Sequence, residues 1–84
     1  MKQLVVLSGD NCGYCKKAKM LLTRALEKEA RFSSADIRFV HENSPEGRNF
    51  KHRLLPAFYC DDTLIFEGNP NMDIIMAILH QCSI

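Results

Sequence analysis

Asn11-Cys12-Gly13-Tyr14-Cys15-Lys16 is the stretch from which the fold of this chain can be worked out. It follows an apolar run, Leu4-Val5-Val6-Leu7, and precedes a long segment of helical pattern. A C-x-x-C at a strand-to-helix turn is typical of a dithiol redox site, because a helix N-terminus carries unpaired N–H groups and a partial positive charge. We expect this charge to lower the pKa of Cys12 below the free value of about 8.5, so that Cys12 is the attacking thiolate. Cys15, one turn further along and more buried, would be the resolving thiol.

Three residues beside the two cysteines are candidates for supporting roles. Lys16 follows the second cysteine directly, so its charge should stabilise the thiolate at Cys12, although a solvated ammonium group helps only modestly. Lys17 is a weaker candidate, and both lysines can also be read as the solvated face of a helix. Tyr14 should be exposed beside Cys12 and available to a substrate, the alternative being a ring that faces the core.

The composition describes a small globular domain spanning residues 1–84. Hydrophobic residues make up 46% of the 84 residues, and 11 Lys and Arg against 10 Asp and Glu leave a net charge of +1. This balance gives no basis for a nucleic-acid or acidic-membrane partner. No apolar run approaches the roughly 18 residues of a membrane span, and the apolar run near the N-terminus is too short for a signal peptide. We therefore expect a cytoplasmic protein.

The chain has four cysteines, and a reducing compartment favours redox or metal roles for a C-x-x-C over structural disulfides. Cys60, in a predicted strand, and Cys82, on an apolar helix stripe, are most simply buried and unreactive thiols. A second redox pair is the alternative. A zinc site would need distant ligands in the absence of a second C-x-x-C, so we assign no metal ligand.

Hydrophobic periodicity and turn residues predict an α/β chain of order β-α-β-α-β-β-α. Ala18, Leu22 and Ala25 form one apolar stripe of the first helix, and Pro45 suits the first turn of a short second helix that Asn43 or Ser44 would cap. The predicted elements are a strand over residues 2–7, a helix from Tyr14 to Arg31, a strand from Ile37 to His41, a helix from Pro45 to Arg53, strands Ala57 to Cys60 and Thr63 to Glu67 joined by a turn at Asp61-Asp62, and a helix from Met72 to Cys82.

A C-x-x-C at the first strand-to-helix turn, a Leu55-Pro56 dipeptide entering a hairpin, and a closing helix together resemble the thioredoxin fold. The small size is similar to that of the glutaredoxins and the minimal archaeal-type redoxins. The resemblance implies a four-stranded mixed sheet of order 2-1-3-4 flanked by three helices. It also implies that Pro56 follows a cis peptide bond and that Leu55 binds substrate through its backbone N–H and C=O.

The sequence combines features of both redoxin types. Gly13 is thioredoxin-like and Tyr14 is glutaredoxin-like, whereas Asp10 stands where glutaredoxins often have a basic residue. The turn at Gly68 has one glycine where glutaredoxins tend to have two. The electron donor is therefore left open between glutathione and a thioredoxin reductase that uses NADPH.

We accordingly expect a monomeric thiol–disulfide oxidoreductase without a tightly bound cofactor. Its partners would be disulfide-containing proteins or glutathione, together with the reductase. The alternatives are an adaptor that binds a metal or an iron–sulfur cluster through the same cysteines, and an interaction module in which the cysteines are idle.

Overall fold

The central strand, β1, runs from Leu4 to Ser8 in the computed structural model, which describes residues 3–32 and 35–82. Its side chains alternate between two apolar clusters, with Leu4 and Val6 on one face of the sheet and Val5 and Leu7 on the other. Strand residues alternate faces, so a continuous apolar run is what a strand buried on both sides requires. Residue 2, the predicted start of this strand, lies outside the described residues.

Three further strands complete a mixed sheet of order β2-β1-β3-β4, which confirms the predicted order. Strand β2 (Ile37–His41) is parallel to β1, whereas β3 (Ala57–Cys60) and β4 (Thr63–Glu67) are antiparallel neighbours. The predicted turn between β3 and β4 has positive φ angles of 48° at Asp61 and 68° at Asp62. Two consecutive residues of this conformation match the right-handed twist of a hairpin.

Both α-helices pack on the same face of the sheet. Helix α1 (Gly13–Lys28) buries the predicted stripe, and a 3₁₀ turn at Ala30–Phe32 follows it and carries Phe32 into the core. The predicted helix end at Arg31 is thus replaced by this tighter turn. Helix α2 (Met72–Cys82) has the predicted bounds, and Asn71 caps it by accepting the Ile74 N–H at 2.9 Å.

The prediction of a helix from Pro45 to Arg53 is wrong. In the described part of the chain, two α-helices rather than three flank the sheet. Only a 3₁₀ turn, Gly47–Asn49, forms there, although the Ser44 hydroxyl does accept the Gly47 N–H at 2.9 Å. Long-range contacts replace the helix. Glu46 binds Arg38 of β2 through two hydrogen bonds, and Gly47 packs so closely on the His41 carbonyl that a side chain would not fit.

The second face of the sheet is therefore covered by an irregular segment, residues 42–56. Phe50 and Leu55 of this segment pack on the cluster that contains Val5, Leu7 and Tyr59. The Phe50 and Tyr59 rings are 4.7 Å apart between centroids, and the Tyr59 hydroxyl donates to the Lys51 carbonyl at 2.6 Å. Among the described residues, no helix combines the length and the apolar character needed to cross a bilayer.

Candidate active site

Cys12 and Cys15 meet at the N-terminus of α1, where their sulfur atoms are joined in a disulfide with the Cα atoms 5.2 Å apart. Cys12 is the N-cap of the helix, and its sulfur accepts the backbone N–H of Cys15 at 3.1 Å. Its carbonyl accepts the N–H of Lys16 at 3.3 Å, which begins the helical hydrogen bonding. The Cys12 sulfur thus occupies the position at which a helix N-terminus stabilises negative charge.

The two cysteines differ in their access to solvent. Cys12 is half-buried, whereas Cys15 is 9% exposed and belongs to the core-facing side of α1. Tyr14, between them, is 52% exposed, so its ring faces solvent as predicted. A reactant from solution can therefore approach the Cys12 sulfur, whereas the Cys15 sulfur is largely shielded from solvent.

The Leu55–Pro56 segment lies at the same edge of the sheet as the cysteines. Its peptide bond is cis, as the resemblance implied. The pairing of Leu7 with Ala57 places Pro56 level with the end of β1, and a side chain at Gly9 would collide with Leu55. Within residues 3–32 and 35–82, neither the N–H nor the C=O of Leu55 has a hydrogen-bond partner.

Glu67, at the end of β4, holds the loop that leads to Leu55. Its carboxylate accepts the backbone N–H of Arg53 at 2.7 Å and that of Leu54 at 3.0 Å. Hydrogen bonds to the charged form hold the pKa of the Glu67 carboxyl below its usual range. The sequence analysis missed this residue, because a glutamate at a strand end gives no local signal of a loop 14 residues away in the chain.

Gly68 adds a second tie between β4 and the same loop. Its N–H donates to the Pro56 carbonyl at 3.0 Å, and its φ of 103° is a conformation that side chains disfavour. The Leu54 side chain lies against this glycine, at 3.2 Å from the position that a Cβ would occupy. The single glycine of this turn therefore serves both the backbone conformation and a close approach.

Charged side chains border a groove of about 300 Å³ between Cys12 and β2. Lys16 is exposed there, whereas Lys17 donates to the Asn69 side chain at 3.0 Å and so bridges α1 to the turn before α2. Asp10 faces the imidazole of His41, with 3.1 Å between Oδ1 and Nε2. Because His41 accepts the Asn43 N–H at Nδ1, its proton lies on Nε2 and is donated to Asp10.

A larger groove, of about 620 Å³, lies on the second face of the sheet. It is lined by Asn49, Phe50, Lys51, Tyr59, Asp62 and Leu64 and contains no thiol, so we assign no chemistry to it. In the part of the chain that the structure describes, no three His, Cys, Asp or Glu side chains form a group that could hold a metal ion.

Cys60 and Cys82 correct the sequence analysis in one respect. Both are buried as predicted, at 8% and 0% exposure, but they form a pair, which was the alternative, rather than two separate thiols. Their sulfur atoms are joined in a disulfide, with the Cα atoms 5.7 Å apart. The pairing depends on how α2 packs against the end of β3, which the spacing of 22 residues does not indicate.

Comparison with known proteins identifies the fold. No protein-family profile matches the chain, and no curated protein matches its sequence. Among solved structures, thioredoxin f2 of Chlamydomonas reinhardtii superposes with a TM-score of 0.68 at 22% sequence identity. The match covers 94% of this chain and 76% of that one. The architecture, the helix-capping cysteine pair and this superposition together show that the chain has the thioredoxin fold.

Proposed function

We propose that this protein is a thiol–disulfide oxidoreductase whose reactive group is the Cys12–Cys15 pair. The observation that carries the proposal is the asymmetry of that pair: an accessible sulfur caps a helix, and its partner lies behind it on the buried side. A structural disulfide needs neither the helix N-terminus nor an exposed sulfur. An exchange reaction needs both, since the thiolate is the nucleophile and must meet its target.

The reaction follows from this placement. In the reduced protein, the Cys12 thiolate attacks one sulfur of a substrate disulfide, and the other substrate sulfur leaves as a thiolate. Cys15 then gives up its proton and attacks the Cys12 sulfur of the mixed disulfide. The second substrate thiolate leaves, the two electrons of the dithiol have passed to the substrate, and Cys12 and Cys15 are joined as in this structure.

The segment before Pro56 supports binding of an extended substrate. The unpaired N–H and C=O of Leu55 could form a short antiparallel pairing with the residues around a substrate cysteine. Tyr14, between the two cysteines in the chain, provides an exposed aromatic surface. This arrangement favours protein disulfides, or the peptide part of a glutathione mixed disulfide, as substrates.

The oxidised pair must be reset by an external donor, since the reaction leaves Cys12 and Cys15 oxidised. We propose glutathione or a flavoprotein reductase driven by NADPH, with no tightly bound cofactor, acting on a cytoplasmic monomer. Asp10 weighs against glutathione, because its carboxylate repels the carboxylates of that tripeptide. The Gly68 turn also weighs against it, since glutaredoxins tend to have two glycines there.

A paired turnover assay tests the proposal and distinguishes the donors. One arm supplies a glutathione mixed disulfide with glutathione as reductant, and the other a protein disulfide with NADPH and thioredoxin reductase. We expect turnover in at least one arm, its loss in Cys12→Ser, and stable mixed disulfides in Cys15→Ser, because the resolving step is then absent. Wild type no faster than Cys12→Ser in both arms, with no adduct on Cys15→Ser, would contradict the proposed function.

A further inference from the structure

The second cysteine pair lies at the opposite end of the sheet from the first. Cys60 pairs in register with Leu4, the first residue of β1, whereas Cys12 follows Ser8, the last residue of that strand. Four residue steps along a strand span about 13 Å, and the loop to Cys12 adds to this distance. Direct exchange between the two pairs within one molecule is therefore excluded by geometry.

The environment of the second pair also differs from that of the first. Cys60 and Cys82 belong to the main apolar cluster, in which Leu4 and Phe32 are fully buried neighbours. Cys60 ends a strand and Cys82 lies in the last turn of α2, so neither sulfur sits at a helix N-terminus. A thiol reductant must contact a sulfur atom, and this pair offers almost no surface for that contact.

We propose that Cys60 and Cys82 form a structural disulfide that joins the end of β3 to the last turn of α2 and stays oxidised under conditions that reduce Cys12–Cys15. The cross-link closes a loop that contains the Asp61-Asp62 turn, β4 and the whole of α2. It therefore limits the freedom of the unfolded chain over the last quarter of the protein. The chain thus has one disulfide for exchange and one for stability.

The bond forms while the chain folds, before the packing of α2 buries the two thiols, by exchange with a low-molecular-weight disulfide such as oxidised glutathione. The Cys60 thiolate attacks this oxidant and releases one glutathione thiolate. Cys82 then attacks the Cys60 sulfur of the mixed disulfide and releases the second. The two thiol protons end on the two released glutathione molecules, which have taken up both electrons.

The test uses the full chain with Cys12→Ser and Cys15→Ser combined, so that only Cys60 and Cys82 remain. The reduced protein is refolded from denaturant in the presence of oxidised glutathione, then denatured again and alkylated, and its mass is measured. Thermal unfolding of this form is compared with that of the same variant after reduction in denaturant and refolding with reductant present. We expect no alkylated thiol in the oxidised form and a melting temperature higher by roughly 10–20 °C.

A matched variant, Cys60→Ala with Cys82→Ala, keeps the first pair and shows the difference in reactivity. In one native glutathione buffer we expect this variant to lose its disulfide while the first variant keeps its own. Free or glutathione-bound Cys60 and Cys82 after oxidation would overturn the proposal, as would equal melting temperatures of the two forms. Reduction of both pairs in the same buffer would overturn it as well. None of these measurements uses turnover, so they stand or fall separately from the proposed oxidoreductase activity.

Discussion

At the scale of single residues, the Cys12 sulfur combines two stabilising influences on a thiolate. It receives the Cys15 N–H at 3.1 Å as the helix N-cap, and exposed Lys16 lies one turn along the same groove. We expect the pKa of Cys12 in the reduced protein to lie below the free value of about 8.5, because the helix N-terminus stabilises the thiolate. The pH dependence of the iodoacetamide reaction in the Cys15→Ser variant measures it, and an ordinary value near 8.5 would contradict the argument.

The two lysines after the dithiol form a matched pair for the same measurement. Lys16→Gln should raise the pKa of Cys12 slightly, because one screened surface charge that favours the thiolate is removed. Lys17→Gln should leave it nearly unchanged, because the Lys17 ammonium group is held at Asn69. Equal shifts in the two variants would show that the helix and the general positive charge act alone, without a specific role for Lys16.

The part of the site that could be predicted consists of residues whose chemistry depends on neighbours in the chain. The two cysteines fall in one helical turn, so their contact follows from spacing alone. Glu67 could not be predicted, since its role depends on the backbone N–H groups of a loop that folds beside β4. The hydrophobic periodicity of the sequence around a carboxylate does not indicate which distant N–H groups it will bind.

At the scale of elements, the segment before Pro56 shows where local signals fail. Ser44 caps the Gly47 N–H as its sequence predicts, yet no α-helix continues from it. Gly47, a residue type that weakens a helix, is required here for close packing on the His41 carbonyl, and the Glu46 carboxylate is bound to Arg38. The two α-helices were predictable because their buried positions are periodic along the chain, and the central strand because it is a continuous apolar run, whereas this segment is shaped by contacts with β2.

The tie between β4 and this segment makes a prediction about pH. Glu67→Gln replaces a charged acceptor of two backbone N–H groups by a neutral one, so the loop before Leu55 should loosen. Because folding lowers the pKa of this carboxyl, its contribution is fully present above the unfolded value of about 4.3 and is lost as the pH falls through the lower folded value. Urea unfolding at pH 7 should therefore show the variant as less stable, with the difference shrinking towards pH 3.

Activity provides a second readout for the same variant. If Glu67 positions the Leu55 backbone, Glu67→Gln should raise KM for a protein disulfide severalfold while kcat changes little. Glu27→Gln, at an exposed position of α1, is the matched control and should change neither stability nor KM. A stability difference that persists unchanged down to pH 3 would rule out the carboxylate as its source.

At the scale of the whole molecule, the two faces of the sheet are built unequally. Both α-helices and the second disulfide consolidate one face, and the irregular segment of residues 42–56 covers the other. The sequence predicted three helices flanking the sheet, and it favoured separate buried thiols at Cys60 and Cys82 over a second pair. Both features depend on how distant elements pack, which one sequence read locally does not specify.

We expect the face covered by residues 42–56 to be locally less stable than the face covered by the two α-helices. Phe50 is the main apolar contact of that less stable face. Phe50 packs on Tyr59 at 4.7 Å, and the hydroxyl of Tyr59 anchors the neighbouring Lys51 carbonyl. Phe50→Ala should cost roughly 2 kcal/mol of unfolding free energy, since this half-buried ring is a large part of the cluster. Phe39→Ala, which removes a ring that is 49% exposed on β2, should cost less than about 1 kcal/mol.

Hydrogen exchange followed by mass spectrometry shows where the Phe50→Ala cost is felt. Peptides from residues 42–56 should exchange faster than those of α1 and α2 in the wild type, because their N–H groups bond mostly in turns and to side chains rather than in a continuous helix. In Phe50→Ala this segment should exchange faster still, while the helices and the Cys60–Cys82 end of the sheet keep their protection. If protection instead fell equally in α1 and in the segment, the two faces would unfold as one unit. Covering the second face without a helix would then carry no local cost in stability.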